Sequence, residues 1–456
     1  MRTLTCFKAY DVRGRVGDNL DADIAYRIGR ALAETLAARS VVVGRDIRDS
    51  SPVLLAALVE GLRDAGADVK DIALCGTEEV YFATDHFGAD AGVMVTASHN
   101  PIDYNGVKMV GAGAQPLSDV AFRAIEARAA THAFAAPAAR RGQHEMVSAR
   151  EAYVARVCSF VDPAAIGPIH LVANPGNGCA GPTFDAILGH LTARGAQIKV
   201  TRLHHTPDAR FPNGIPNPLL PENQPVTAEA VKAHGADLGV AWDGDFDRCF
   251  FFDEAGGFIP GEFVVGLLAQ AVLEARPAAN IVYDPRVVWN TQRIVSECGG
   301  QAIMSKTGHV LVKDKMRASK ALYGGEMSAH HYFRDFMYCD SGMIPWLLML
   351  ERLSRAKTPF SSLVAEMRQR HPSSGEINFR VESTEEVTAR LKQRYAPAAE
   401  TVDGLDGVSM EFGDWRFNLR ASNTEPLLRL NVETLDCPEL LQARVAELTE
   451  AIQAAA

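Results

Sequence analysis

The segment SVVVGRDIRDSSPVLLAALVEGLRDAGADVKDIAL, residues 40–74, decides the fold class. Its β-branched run Val41–Val43 is typical of a buried strand, and Asp71–Leu74 is a second strand at the end of the segment. Between them, residues 53–65 place leucines at the spacing of one helix face. A strand, a helix and another strand in this order predict a parallel β-α-β unit.

The same alternation of short strands and amphipathic helices continues along most of the chain. Further strands are predicted at Gly92–Thr96, Ile169–Ala173, Gln197–Leu203, Leu238–Trp242, Phe250–Glu254, Ile281–Tyr283, Ala302–Met304 and Ala321–Tyr323. The last part differs, because short strands follow one another with little helix between them and one helix closes the chain. Those elements are predicted at Met410–Phe412, Trp415–Leu419, Leu428–Val432 and Glu439–Ala455. We therefore predict three doubly wound α/β domains with parallel sheets and a C-terminal α+β domain.

Stretches rich in alanine, proline and glycine suggest where the domains meet. The Ala-rich segment 134–141 has weak structure signals and is a candidate linker, and further breaks are expected near Gly256–Gly257 and His371–Gly375. The predicted domains are residues 1–147, 148–256, 257–370 and 371–456.

Composition and charge exclude several classes of protein. Of the 456 residues, 47% are hydrophobic and 22% are charged, as expected for a globular protein. The net charge of -10, from 46 basic and 56 acidic residues, argues against a general binder of nucleic acid or anionic membranes. No run approaches the ~20 apolar residues of a membrane span, and Lys8, Asp11 and Arg13 interrupt any signal peptide. The eight cysteines form no Cys-x-x-Cys pair, so we expect a reducing, cytoplasmic location.

Four polar clusters each follow a predicted strand. They are TASHNP (96–101), DGDFDR (243–248), SKTGH (305–309) and GGEMSAHH (324–331). In open α/β sheets, ligands bind beyond the carboxyl ends of the strands. Because the clusters come from three different domains, we expect the domains to surround one central cleft that the clusters line.

The acidic cluster DGDFDR alternates Asp243, Asp245 and Asp247 with other residues. Three carboxylates brought close together repel one another unless a cation lies between them, and oxygen ligands favour Mg²⁺ or Ca²⁺ over zinc. An EF-hand is excluded, because Arg248 stands where that loop requires glycine and because the flanking residues are strands rather than helices. A divalent-cation site is therefore favoured over a solvated acidic turn.

Ser98, in TASHNP, allows three interpretations. As a hydrolase nucleophile it lacks the Gly-x-Ser-x-Gly elbow, and we expect the adjacent His99 to point away from it. As a turn serine it bonds its own backbone. As a phosphoserine it supplies anionic oxygens to a metal that the three aspartates hold.

Two further turns are ambiguous. RASNTEP, residues 420–426, is either a hairpin turn or a cradle for a phosphate or carboxylate group. GNGCAG, residues 176–181, matches the Gly-x-Gly-x-x-Gly pattern of dinucleotide-binding enzymes, but the next predicted strand ends without the acidic residue that such a site needs. A structural turn is therefore favoured, and an NAD-dependent dehydrogenase is a distant alternative.

Together and in this order, these motifs resemble those of the α-D-phosphohexomutase family, in particular its phosphomannomutase branch. TASHNP is similar to the family's phosphoserine loop, DGDFDR to its magnesium loop, GEMSAH (325–330) to its sugar-selecting loop and RASNTEP to its phosphate-binding loop. KAYDVRG, residues 8–14, matches near the N-terminus, so the likeness covers essentially the whole chain.

The resemblance implies reversible conversion of mannose 6-phosphate to mannose 1-phosphate. The reaction would use a phosphoserine enzyme, Mg²⁺, and a hexose 1,6-bisphosphate as intermediate and activator. A dual-specificity phosphomannomutase/phosphoglucomutase is the nearest alternative, since discrimination at one hydroxyl depends on geometry. We expect a hexose phosphate as substrate, no nucleic-acid or membrane partner, and a monomer or weak oligomer.

The resemblance also assigns roles to residues of this sequence. Ser98 carries the phosphoryl group and holds the metal together with Asp243, Asp245 and Asp247. The implied catalytic set is Ser98, Lys108, Arg248, His309 and His330, of which Lys108, His309 and His330 are candidates for proton transfer or for orienting the reacting hydroxyl, with the base left open. The implied substrate-binding set is Tyr10, Arg13, Arg286, Glu326, Ser328, Arg420, Ser422, Asn423 and Thr424. Arg286 stands where some relatives have lysine.

Overall fold

The computed structural model describes residues 4–422 and 427–455. The chain forms two compact units. The first unit comprises the chain up to Phe258 together with His330–Lys357, and the second comprises Ile259–Ala329 together with the chain from Thr358 onward. Within the described ranges, no helix is long and apolar enough to cross a membrane.

The first unit begins with a six-stranded sheet in the order β1-β5-β4-β2-β3-β6. Its strands are β1 (Val12–Arg15), β2 (Ser40–Arg45), β3 (Asp68–Leu74), β4 (Ala91–Val95), β5 (Tyr104–Gly111) and β6 (His144–Met146). Its helices are α1 (Ala22–Leu36), α2 (Ser51–Asp64), α3 (Thr77–His86) and α4 (Asp119–Thr131). Val43 of β2 and Leu58 of α2 share one apolar core, as the predicted β-α-β unit requires.

This sheet is mixed, whereas the sequence predicted a parallel one. Strand β2 is parallel to β3 and β4, as predicted, but β5 runs antiparallel to both β4 and β1. The cause is the length of the connection between β4 and β5. Residues 96–103 are fewer than the dozen or so that a parallel crossover needs, so the chain turns back as a hairpin. The TASHNP motif lies in that turn.

The second sheet of the first unit contains the strand order β10-β9-β7-β8. Its strands are β7 (Ile169–Asn174), β8 (Ile198–Arg202), β9 (Leu238–Trp242) and β10 (Cys249–Asp253), followed by the short β11 (Phe258–Ile259). Its helices are α5 (Arg150–Cys158), α6 (Ala180–Thr192) and α7 (Pro225–His234). Strand β7 is parallel to β8 and β9, but β10 pairs antiparallel with β9. The motif DGDFDR is the turn of that hairpin.

The next part of the chain contributes to both units. The second unit receives α8 (Gly261–Ala275), β12 (Asn280–Tyr283), α9 (Trp289–Glu297), β13 (Gln301–Met304), α10 (His309–Ser319) and β14 (Tyr323–Gly325). The first unit then receives β15 (His331–Phe333), β16 (Cys339–Asp340) and α11 (Met343–Ala356), and α12 (Phe360–Arg370) belongs to the second unit again. Strand β12 is parallel to both β13 and β14, as predicted for an α/β domain.

The C-terminal part of the second unit is α+β, as predicted. Its antiparallel sheet has the order β17-β21-β20-β19-β18. The strands are β17 (Ser373–Phe379), β18 (Thr401–Asp403), β19 (Val408–Glu411), β20 (Trp415–Ala421) and β21 (Leu428–Thr434), and the helices are α13 (Thr384–Tyr395) and α14 (Pro438–Ala455). Phe417, Leu391 and Ile452 belong to one apolar core that joins the sheet to both helices.

The segment 134–141, a candidate linker in the sequence, is anchored to the first unit. It contains no helix or strand, but Phe134 packs against the apolar core, and Ala138 N donates to Asp64 O at 2.8 Å. Strand β6 follows it and pairs in parallel with β3. The segment is therefore part of the first folded domain rather than a free linker.

Helices α1 and α2 cross at two glycines. A Cβ atom added at Gly61 would lie 2.1 Å from Tyr26 O, and one added at Gly29 would lie 2.2 Å from Leu58 O. Both distances are far inside van der Waals contact, so only glycine allows the two helix backbones to approach this closely.

We expect Gly61→Ala to lower the free energy of unfolding by roughly 1–3 kcal/mol, because the added methyl group overpacks the crossing. Gly189→Ala is the matched control, since Gly189 is an exposed glycine within α6 with open space around its Cβ position. That control should raise the free energy of unfolding by about 0.5–1 kcal/mol through helix propensity alone. Denaturant titration of both full-length variants measures the two effects, and stabilisation by both substitutions would contradict the close crossing.

Candidate functional site

The acidic loop DGDFDR is the turn of the β9–β10 hairpin, in which Trp242 pairs with Cys249. Asp243, Asp245 and Asp247 are almost completely buried there, and each places one carboxylate oxygen within 4.8 Å of the other two. Their burial excludes a solvated acidic turn, and the flanking strands exclude an EF-hand. The structure thus brings the three predicted metal ligands together.

Two cationic side chains are bonded to this acidic triplet. Lys108 Nζ, from β5, lies 2.8 Å from Asp245 Oδ2 and 2.5 Å from Asp247 Oδ2. Arg248 donates to Asp243 Oδ2 from Nη2 at 2.7 Å and from Nε at 3.0 Å. Burial alone would lower the pKa of Lys108, but the Asp245 and Asp247 carboxylates outweigh it and raise that pKa, so the side chain stays an ammonium ion. Three carboxylates bonded to two cations leave one negative charge uncompensated.

The residues of this loop fit a divalent cation. Asp245 Oδ1 is buried and has no hydrogen-bond partner among the described residues, although Oδ2 of the same carboxylate has two donors. A buried carboxylate oxygen without a partner is costly. Burial raises the pKa of Asp243 to about 6 against the opposing charge of Arg248, and the two neighbouring carboxylates add to the rise. A hard divalent cation bound by oxygen atoms would relieve both costs.

Ser98 lies in the hairpin turn between β4 and β5, and its Oγ donates to Asp243 Oδ2 at 2.6 Å. The backbone of Ser98 is left-handed, with φ of 50°, and His99 Nδ1 lies 3.0 Å from Ser98 Oγ. The prediction that His99 points away from Ser98 is therefore wrong, because it assumed an extended backbone in which successive side chains alternate. Arg248 also contacts His99 Nδ1 and so occupies the lone pair that a general base needs.

A buried arginine holds the Ser98 turn in place. Arg48, on the segment after β2, is 1% exposed. Its guanidinium donates to the backbone carbonyls of Ser98 at 3.0 Å, Asn100 at 2.6 Å, Pro101 at 2.8 Å and Tyr104 at 3.1 Å. Arg48 could not be found from the TASHNP motif, because it lies 50 residues away along the chain. The signal that could have found it is the charged run after a strongly apolar strand.

Three other predicted residues also belong to the first unit. Arg13, on β1, donates to the backbone carbonyl of Thr96 in the TASHNP motif. His330 Nε2 lies 3.7 Å from Asp247 Oδ1. Tyr10 is half-buried in the loop that precedes β1. The structure thus connects Arg13 to the Ser98 turn and His330 to the acidic triplet.

The second unit brings together the SKTGH motif and residues 325–329 of the GEMSAH motif. Glu326 Oε1, from GEMSAH, accepts a hydrogen bond from Gly308 N at 2.8 Å. His309 follows Gly308 directly and begins α10. Ser328 lies half-buried in the turn after Met327. The two predicted sugar-side residues, Glu326 and Ser328, are therefore in one loop beside the His309 turn.

Three arginines of the second unit converge on one carboxylate. Arg286 Nη1 and Arg420 Nη2 lie 3.3 and 3.2 Å from Glu376 Oε2, and Arg429 Nη1 lies 3.2 Å from Glu376 Oε1. Arg286 also pairs with Asp284, whose carboxylate overcomes the effect of burial and raises the pKa of the guanidinium. Such a concentration of guanidinium groups suits a phosphate group. The motifs gave no indication of Arg429 or Glu376, because both lie on strands outside the predicted loops.

The turn of RASNTEP is described only in part. Ser422 N donates to Leu427 O at 2.8 Å, which closes the turn between β20 and β21. Asn423 and Thr424, predicted for the phosphate-binding set, lie outside the described residues.

Family models match the chain in four places. The phosphoglucomutase/phosphomannomutase alpha/beta/alpha domains I, II and III match residues 5–136, 151–257 and 260–371, and the C-terminal domain of the same family matches residues 376–451. The chain belongs to the phosphoglucomutase/phosphomannomutase family. The predicted family and the predicted series of three α/β domains and one α+β domain are thus confirmed.

Similar proteins of this family match the chain over nearly its whole length. A phosphomannomutase of Salmonella typhimurium is 52% identical over 450 residues, which are 98% of this chain and 99% of the relative. A protein of Xanthomonas campestris named phosphohexose mutases is 52% identical over 452 residues, or 99% of this chain and 100% of the relative. The crystal structure of a phosphoglucomutase/phosphomannomutase family protein from Burkholderia thailandensis matches with a TM-score of 0.89 and 34% sequence identity. The match covers 100% of this chain and 98% of the Burkholderia chain.

In this member of the phosphoglucomutase/phosphomannomutase family, GNGCAG is a structural turn. A Cβ atom added at Gly181 would lie 2.0 Å from His205 O, and one at Gly178 would lie 2.8 Å from Gly244 O. Cys179 N also donates to Gly244 O at 3.0 Å. The turn therefore packs against the metal loop. A dinucleotide-binding site would need these glycines to face an open surface, so the structure disfavours that interpretation.

We expect Asp245→Asn to weaken binding of a divalent metal by about tenfold or more, because it removes a negative charge from the ligand set. Isothermal titration with Mg²⁺ as the probe measures the effect. Asp253→Asn is the matched control, since Asp253 is also buried but its Oδ1 accepts backbone hydrogen bonds from Ala255 and Gly257, which an amide oxygen can replace. Identical metal titrations for wild type and Asp245→Asn would contradict the metal site.

Proposed function

We propose that the chain is a phosphomannomutase, which interconverts mannose 6-phosphate and mannose 1-phosphate. The observation that carries this proposal is the 2.6 Å contact between Ser98 Oγ and Asp243 Oδ2 at the edge of a buried acidic triplet. A hydroxyl group in that position can carry a phosphoryl group next to a bound cation. Full-length relatives named phosphomannomutase support mannose phosphates as substrates.

The proposed reaction moves one phosphoryl group from Ser98 to a hydroxyl of the sugar phosphate. The bond between phosphorus and Ser98 Oγ breaks, a bond between phosphorus and the sugar oxygen forms, and the hydroxyl proton passes to a base. The product is a hexose 1,6-bisphosphate, which then returns its other phosphoryl group to Ser98. The same bisphosphate acts as activator, because it can phosphorylate a free Ser98.

Mg²⁺ is the proposed cofactor, held by Asp243, Asp245 and Asp247 together with an oxygen of the Ser98 phosphoryl group. When bound, it neutralises negative charge on the group in transfer. Arg248 supplies a second positive charge, since its Nη2 lies 3.5 Å from Ser98 Oγ while Nε and Nη2 are fixed on Asp243. The arginine is thus held ready beside the reacting oxygen and needs no rearrangement.

Lys108 and His330 are the residues of the first unit proposed for proton transfer or for orientation of the reacting hydroxyl. The Asp245 and Asp247 carboxylates raise the pKa of Lys108 and hold it as an ammonium ion, so this side chain is suited to orient the reacting hydroxyl by donating a hydrogen bond. His330, 3.7 Å from Asp247 Oδ1, is suited to accept a proton. His309, in the second unit, is the third candidate, and the assignment of the base among the three stays a prediction.

The second unit is proposed to hold the sugar and the phosphate that does not react. Three guanidinium groups lie around Glu376 and Asp284 and supply N–H donors for that phosphate. Glu326 and Ser328 are the proposed partners of the sugar hydroxyls. The proposed substrate-binding set is Tyr10, Arg13, Arg286, Glu326, Ser328, Arg420, Ser422, Asn423 and Thr424.

A dual-specificity phosphomannomutase/phosphoglucomutase is the second candidate. The Xanthomonas relative named phosphohexose mutases is as similar to the chain as the Salmonella phosphomannomutase, at 52% identity. Discrimination at a single hydroxyl is worth only a few kcal/mol, so either preference is compatible with one set of ligands. The ratio of kcat/KM for mannose 1-phosphate and glucose 1-phosphate decides between the two, since a ratio near one favours the dual enzyme.

Other expectations stay predictions. They are the cytoplasmic location, the monomeric or weakly oligomeric state, the absence of nucleic-acid and membrane partners, and the domain boundaries after residues 147, 256 and 370.

We expect Ser98→Ala to lower mutase turnover by roughly a thousandfold or more, because the oxygen that carries the phosphoryl group is removed. A coupled assay on mannose 1-phosphate, with Mg²⁺ and a trace of hexose 1,6-bisphosphate, measures the rate. Ser159→Ala is the control, since this serine is exposed and its Oγ donates to the carbonyl of Arg156 at the end of α5. Near-normal turnover of Ser98→Ala would overturn the phosphoserine role.

A further inference from the structure

We propose that Thr77, the first residue of α3, is a positioning residue that orients Asp245 for metal binding. This inference rests on the proposed role of the acidic triplet as the Mg²⁺ site. Thr77 lies outside every motif that the sequence indicated, and 168 residues separate it from Asp245 along the chain. The two oxygens of the Asp245 carboxylate differ in their surroundings.

Thr77 contacts Asp245 through both its side chain and its backbone. Thr77 Oγ1 donates to Asp245 Oδ2 at 2.6 Å, and Thr77 N donates to Asp245 O at 3.1 Å. Both residues are completely buried. The backbone bond fixes the position of the loop, and the hydroxyl bond fixes the rotation of the carboxylate about its side-chain bonds.

The two oxygens of Asp245 therefore have different roles. Oδ2 accepts from Thr77 Oγ1 and from Lys108 Nζ, so two donors already satisfy it. Oδ1 is buried without a hydrogen-bond partner among the described residues. With Oδ2 held by these donors, Oδ1 is the oxygen left to bind a cation. Side chains that hold a metal ligand by a hydrogen bond in this way commonly change metal affinity when they are replaced.

The start of α3 is fixed by contacts on several sides, so it can hold the metal loop in position. A Cβ atom added at Gly76 would lie 2.2 Å from the ring of Phe246, so glycine allows α3 to approach the loop residue next to Asp245. Glu79 Oε2 accepts from Gly76 N at 3.0 Å and caps the helix. Glu78, completely buried, accepts hydrogen bonds from Ser341 Oγ at 3.0 Å and from backbone amides at the start of α11. Thr77 thus lies at a helix end that contacts the metal loop on one side and the start of α11 on the other.

The hydroxyl group of Thr77 can be removed with little change in shape. Thr77→Val replaces it with a methyl group, keeps the backbone bond to Asp245 O and leaves Oδ2 with Lys108 as its single side-chain donor. Thr77→Ser retains the hydroxyl group. Thr84→Val is the matched control, because Thr84 is completely buried on the same helix but its Oγ1 donates to the carbonyl of Val80 at 2.7 Å.

Isothermal titration of the four full-length proteins with Mg²⁺ tests the inference. We expect the Kd for Mg²⁺ to rise about tenfold or more in Thr77→Val and to stay close to the wild-type value in Thr77→Ser and Thr84→Val. Thermal unfolding of each metal-free protein establishes that the variants are folded. A wild-type Kd in folded Thr77→Val would overturn the positioning role.

The outcomes separate this inference from the proposed function. If the wild-type protein binds no Mg²⁺, the proposed metal site fails and the role of Thr77 fails with it. If wild type and Thr77→Val bind Mg²⁺ equally, the metal site stands and only the role of Thr77 is overturned. If Thr77→Val does not fold, the pair Thr77→Ala and Thr77→Ser gives the same comparison of proteins without and with the hydroxyl group.

Discussion

Burial of three carboxylates in one hairpin turn is the constraint on which the first unit depends. Each charge removed from water costs several kcal/mol unless it is paired and hydrogen-bonded. Lys108 from the first sheet and Arg248 from the hairpin itself supply part of the compensating charge. A phosphoryl group on Ser98 would add close to two more negative charges. The proposed Mg²⁺ would offset two of these negative charges, so the same ion would stabilise the site and neutralise charge on the phosphoryl group.

The two functional turns of the first unit are both hairpins in domains otherwise built from β-α-β crossovers. The β4–β5 turn carries Ser98 and the β9–β10 turn carries the acidic triplet. A hairpin turn is held by paired strands on both sides, which restricts its movement more than the end of a single strand does. Gly244 completes the arrangement, because a Cβ atom there would lie 2.6 Å from Ser98 O and would separate the two turns. Close contact of the turns is therefore built into the backbone.

The sequence correctly predicted those features that a short local pattern of residues determines. The prediction of strand β9 at Leu238–Trp242 is confirmed, because an apolar run before an acidic loop is a strong signal, and the three aspartates predicted as metal ligands lie close together after it. The prediction of parallel sheets was wrong in part, because the connections after β4 and β9 are short and force hairpins. The predicted orientation of the His99 side chain was wrong, because the left-handed backbone of Ser98 could not be inferred from residue types. Arg48 and Thr77 were not found, because their partners are 50 and 168 residues away and neither has a motif of its own.

Mass spectrometry of the phosphorylated protein shows whether Ser98 carries the phosphoryl group in transfer. The full chain is incubated with Mg²⁺ and a hexose 1,6-bisphosphate, mapped by peptide, and then given mannose 1-phosphate. We expect one phosphoryl group, located on Ser98, which leaves the protein when the sugar phosphate is added. A phosphoryl group on His99, or an active protein that never carries one, would contradict it.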